Sequence, residues 1–134
     1  MNKKNIFKTV ILPLLITAAV IAGCSKNDSV LGPNGNQVSF TITQQNGPNN
    51  GVEFLFNPSV DTKISRIVSR YAALQFADTI SFANTNYTYS KDSVYLINEY
   101  VGVVNGQQWN FDFSGSTTGQ NNSNYNVTTN YTVH

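Results

Sequence analysis

The sequence predicts an all-β domain, an antiparallel β-sandwich, on three observations. Four stretches alternate apolar and polar residues with the period of two that a half-buried strand requires. They are Val38, Phe40 and Ile42; Val52, Phe54 and Phe56; Trp109, Phe111 and Phe113; and Tyr125, Val127, Tyr131 and Val133. The intervening segments, such as "QQNGPNNG" (44–51) and "STTGQNN" (116–122), are crowded with asparagine, glycine, serine and threonine, which favour turns and strand faces. Charged side chains make up only 11% of the chain, few for the solvent faces of several helices.

The first strand sets Val38, Phe40 and Ile42 against Ser39, Thr41 and Thr43, and the second resumes that pattern after the turn. Next comes "DTKISRIVSRYAALQF" (61–76), which has two readings. Ile64, Ile67, Val68, Tyr71 and Leu74 follow helical spacing, so an α+β fold with one helix near 61–76 is an alternative. The β-branched residues at its start and its neighbours favour a strand over roughly 64–69. "SVYLIN" (93–98) reads as a further strand, and Asn105-Gly106 is a two-residue hairpin signal that would suit a small β-barrel instead.

The first 37 residues read differently. Lys3, Lys4 and Lys8 precede the apolar run "TVILPLLITAAV" (9–20), then come the small residues Ala22 and Gly23. That is the order of a signal peptide, and the run is shorter than the roughly 20 residues that cross a bilayer as a helix. Its ending, Ile21, Ala22, Gly23 and Cys24, resembles the lipobox of bacterial lipoproteins. The resemblance implies that residues 1–23 are removed, with Ile21, Ala22 and Gly23 read by the signal peptidase, and that Cys24 carries acyl chains such as palmitate. Several chains together anchor firmly, at about 0.8 kcal/mol per buried CH₂. It implies a location in the bacterial cell envelope, and Ser25 after the cysteine resembles lipoproteins sent to an outer membrane. Residues 24–37 ("CSKNDSVLGPNGNQ") then form the lipidated cysteine and a flexible tether, and 38–134 the sandwich domain.

Two stretches of that domain, "VEFLFNPSVDTKISRI" (52–67) and "YVGVVNGQQWNFDFSGSTTG" (100–119), resemble parts of a fibronectin type III or related immunoglobulin-like domain. The first resembles a strand, a Pro-Ser turn and a second strand; the second resembles the corner that leads into an alternating strand. Trp109 stands where that family often has tyrosine, and Phe54 or Phe56 where it often has an early tryptophan. A strand crossing between sheets at the corner would favour the sandwich over a barrel.

Removing residues 1–23 from 134 leaves 111, enough for one core. The remaining charge is about −2, five basic against seven acidic side chains, with no basic stripe for nucleic acid. Cys24 is the one cysteine, so no internal disulfide can form, and His134, the last residue, is the one histidine and is poorly placed as a base for a thiol. No spacing suggests a metal site or a bound cofactor. Glu53, Asp61, Asp78, Asp92, Glu99 and Asp112 are the structured carboxylates from which a hydrolytic pair would have to be drawn, and solvated surface is their ordinary role. The chain therefore reads as a non-enzymatic binding or envelope-assembly module held to the membrane by acyl chains on Cys24, its partner an envelope protein. The alternative is a glycan-binding surface lipoprotein in which Tyr87, Tyr89 and Tyr95 serve as stacking platforms.

Overall fold

The computed structural model describes residues 38–119 and 122–134. The lipobox residues Ile21, Ala22, Gly23 and Cys24, and the tether, lie outside the described residues. Eight strands follow in order: β1 (Phe40–Asn46), β2 (Val52–Pro58), β3 (Thr62–Tyr71), β4 (Phe76–Ser81), β5 (Thr88–Tyr89), β6 (Tyr95–Tyr100), β7 (Gln108–Thr117) and β8 (Asn124–Thr132).

They form two antiparallel sheets, ordered β1-β2-β6 and β4-β3-β7-β8, with β5 pairing the start of β3 beyond the end of β4. If β1, β2, β3, β6, β7 and β8 are lettered A, B, C, E, F and G, then A, B and E share one sheet and C, F and G the other. That division follows the immunoglobulin-type pattern in part, with β4 beside β3 as C′ is beside C, but no strand D lies beside β6 and β5 pairs with β3 instead. The sandwich is not a closed barrel, because its sheets meet at their edges through side chains. On one side Gln44 Nε2 donates to the His134 carbonyl at 2.7 Å. On the other the Tyr100 hydroxyl donates to Asp78 Oδ2 at 2.8 Å.

The alternating residues fill the space between the sheets. Phe54, Phe111 and Phe113 are fully buried; Phe40 stacks on Phe113 with centroids 3.9 Å apart, and Phe54 meets Phe111 edge-on at 5.1 Å. Aromatic pairs from facing sheets thus supply most of the core, each adding about 0.5–1.5 kcal/mol beyond its area.

The helical alternative at 61–76 is overturned, and the reason is local. Ile64 pairs with Gly115 and Arg66 with Ser114, so Ser65 is an extra residue in β3, a bulge that restarts the alternation. Ile64 and Ile67 consequently both face the core, three positions apart, without a helix. Only Ala72–Leu74 turns helically, as one turn of 3₁₀ ended by Gln75 in the left-handed region at φ 52°. The hairpin reading of Asn105-Gly106 also falls. β6 and β7 belong to different sheets, and residues 101–107 form the corner between them, with Gly102 at φ 78° and Gly106 at φ 88°. With it falls the small barrel.

The register gives the sandwich two distinct ends. Val38, Pro58, Tyr89, Tyr95 and Tyr125 gather at the end where the chain enters, joined by the Phe40–Tyr125 and Phe56–Tyr89 contacts. The β1–β2 hairpin, the turn after Tyr71 and the corner 101–107 gather at the other, joined by the Tyr100–Trp109 and Phe54–Tyr131 contacts. β1 alone spans about 20 Å between them.

Candidate functional site

The end remote from Val38 carries a cleft of about 230 Å³. Trp109, at the start of β7, forms its floor and is itself buried. Tyr71 stacks on the indole with centroids 5.5 Å apart, Tyr100 lies against it at 5.1 Å, and Phe76 meets the indole and Tyr100 edge-on. The indole N–H donates to Gln107 Oε1 at 3.1 Å, so the one polar atom of the floor is satisfied.

Local chain geometry leaves this cleft lined with apolar groups open to water. The 3₁₀ turn after Tyr71 ejects Leu74, which is 74% exposed, and the Gly102 turn ejects Val101, 75% exposed. Both line the cleft. Val104, in the same corner, is 60% exposed. Of the seven large hydrophobic side chains exposed among the described residues, four, Leu74, Phe76, Val101 and Val104, stand at this end. Isolated exposed apolar residues are ordinary, whereas a contiguous group around a cleft is the mark of a binding surface.

The polar groups around it are held for structure. Asp78 accepts hydrogen bonds from the Tyr100 hydroxyl at 2.8 Å and from Asn98 Nδ2 at 3.2 Å. Burial, reinforced by Asp78, pushes the Tyr100 phenol far above its ordinary value, so at neutral pH it is a donor and not a base. Glu99 accepts from Asn49 N–H at 2.8 Å, Asn49 Nδ2 at 2.7 Å and Gly51 N–H at 2.9 Å. Desolvation pushes the Glu99 carboxyl up, but those donors outweigh it and leave the pKa below the ordinary glutamate value.

The three tyrosines singled out in the sequence do come together, at the opposite end. Tyr89 lies 4.8 Å from Tyr87 and 4.9 Å from Tyr95, edge-on to both. Tyr89 is only 8% exposed and packs on Phe56. Tyr95 is half-buried against Phe56, and its hydroxyl accepts from Ser90 N–H at 2.7 Å. Tyr87, 49% exposed, offers the one open ring of the three.

The carboxylates are dispersed, apart from one pair. Asp61 accepts from Lys91 N–H, Asp92 pairs with the Lys91 ammonium, and Asp112 pairs with Arg70. Glu53 and Glu99 are cross-strand neighbours on β2 and β6. Among the described residues no group of three His, Cys, Asp or Glu side chains is placed to hold a metal ion.

The cleft was not singled out from the sequence. Its available signal was three valines (101, 103 and 104) around Gly102, in a segment otherwise reading as a corner. The chain is thus a two-sheet antiparallel β-sandwich with an aromatic cleft at one end. No protein-family model, curated protein or solved structure matches the chain.

Proposed function

We propose that this protein is a lipid-anchored, extracytoplasmic, non-enzymatic binding module of a bacterial envelope, which presents the aromatic cleft to a partner protein. The lipobox-like Ile21-Ala22-Gly23-Cys24 supports the anchor and Ser25 an outer membrane. The observation that carries the reading is polarity. The chain enters the sandwich at Val38, and four of the seven large apolar side chains exposed among the described residues, Leu74, Phe76, Val101 and Val104, stand at the other end. A tether from Cys24 therefore delivers the cleft to the membrane-distal tip, where a partner can reach it.

Membrane fractionation of cells producing the chain or Cys24→Ala tests the anchor. The parent chain should pellet with membranes and enter the detergent phase, with an acylated N-terminal peptide by mass spectrometry. Cys24→Ala should lose both properties. Equal membrane retention of the two proteins, or an unmodified Cys24, would overturn the reading.

A glycan-binding role is the second reading, supported by the open ring of Tyr87 beside Tyr89. It asks that one ring do most of the stacking, at the end of the domain nearest the anchor.

A further inference from the structure

The aromatic cleft shares a wall with a second depression. Val101 and Glu99 line both. On the far side lies a space of about 380 Å³, lined by Leu96, Pro48 and the two carboxylates Glu53 and Glu99. Glu53 and Glu99 are paired residues on neighbouring strands, and both line this depression.

Their hydrogen bonds come from neutral donors only. Gln45 Nε2 donates to Glu53 at 2.6 Å, and Asn49 and Gly51 donate to Glu99. The ion pairs among the described residues, Arg70–Asp112 and Lys91–Asp92, lie elsewhere. Lys63 and Arg66 stand on β3 in the other sheet. Among the described residues, these two acidic side chains in one depression therefore have no cation beside them, next to apolar side chains left open to water. The complement to that surface is a cation joined to an apolar group.

β6, whose residues border both depressions, is the outermost strand of its sheet. An extended chain laid beside an edge strand presents successive side chains about 3.3 Å apart along its length. Adjoining depressions of different character can thus be filled by neighbouring residues of one segment.

We infer that the cleft and the Glu53–Glu99 depression form one two-part docking site for an extended polypeptide segment bearing a large apolar side chain next to a lysine or arginine. The apolar side chain enters over Trp109 between Leu74 and Val101, and the cation settles between the two carboxylates. This rests on the binding-module reading and adds to it the chemistry of the partner.

The test is fluorescence anisotropy with the full chain in mild detergent and three labelled peptides of equal length, each with one central phenylalanine. The phenylalanine is flanked by lysines, by serines or by glutamates. The lysine peptide should bind about tenfold more tightly than the serine peptide, and the glutamate peptide more weakly still. Added salt should narrow that spread. Leu74→Asp and Val101→Asp, both at highly exposed positions, should weaken the lysine peptide about tenfold or more without lowering the unfolding midpoint. Glu53→Gln should remove most of the preference for lysine.

Equal binding of all three peptides, abolished by Leu74→Asp, would overturn the charge preference while leaving the cleft a docking site. No binding by any peptide would overturn the inference and remove support from the binding-module reading as well. A concentration-dependent dimer that Leu74→Asp dissociates would assign the cleft to a second copy of the chain, and would equally overturn it.

Discussion

Gly115 shows how closely one residue can be specified. It pairs with Tyr125 across β7 and β8 and with Ile64 across β3, next to the bulge at Ser65. A Cβ there would overlap the Lys63 carbonyl oxygen and crowd the Tyr125 ring. The ring fills the space the missing side chain leaves, and its hydroxyl donates to that same carbonyl at 3.0 Å. Gly115→Ala must shift backbone, so it should lower stability by about 2–3 kcal/mol, read as an earlier urea midpoint at unchanged slope. Glu99 is the second such residue, clipping the β1–β2 hairpin. Its folded pKa is depressed, so its contribution is full above the unfolded value of 4.5 and is lost as pH falls through the lower folded value. The thermal midpoint of the parent chain should therefore fall on acidification below about pH 4.5, and Glu99→Gln should flatten that part of the profile. An unchanged acid limb in Glu99→Gln would show that other carboxylates account for it.

At the scale of elements, β3 and β4 carry the main lessons. β3 reads as helix or strand because Ile64 and Ile67 are three apart. A bulge changes the phase of a strand without leaving any mark in composition, so periodicity could not distinguish the two. β4 gives no clear strand signal in the sequence because it is an edge strand whose residues are mostly exposed, and its inward position at 78 holds an aspartate. Asp78 accepts from the buried Tyr100 hydroxyl and points toward the neighbouring sheet edge. An inward charge on an edge strand also discourages pairing with another chain. Asp78→Leu should therefore lower stability by about 1–3 kcal/mol, through the orphaned hydroxyl, and promote aggregation visible by sedimentation. Tyr100→Phe in the same chain should recover part of the stability. Full additivity of the two substitutions would show that the hydrogen bond does not couple them.

For the whole molecule, the arrangement of ends matters more than any single contact. Tyr87, Tyr89 and Tyr95 converge although they belong to β5, β6 and the loop before β5, so their proximity could be guessed from their closeness in sequence. Their burial could not be guessed. Tyr89 and Tyr95 pack on Phe56 from β2, a partner more than thirty residues away. The cleft joins residues from the ends of β3, β4, β6 and β7. Its two most exposed apolar groups, Leu74 and Val101, come from different connections and have no shared motif.

Periodicity and composition by themselves determined the all-β class, the inward faces of β1, β2, β7 and β8, and the expectation of a sandwich. Alternation is a local property of the chain, and the hydrophobic effect acts on it wherever the strand is placed. Tertiary structure alone decided that Asn105-Gly106 turns a corner between sheets, that Ser65 is a bulge, and that Trp109 is the floor of an open cleft. Each of these depends on which strand lies beside which, and that is settled by packing between residues far apart in the chain.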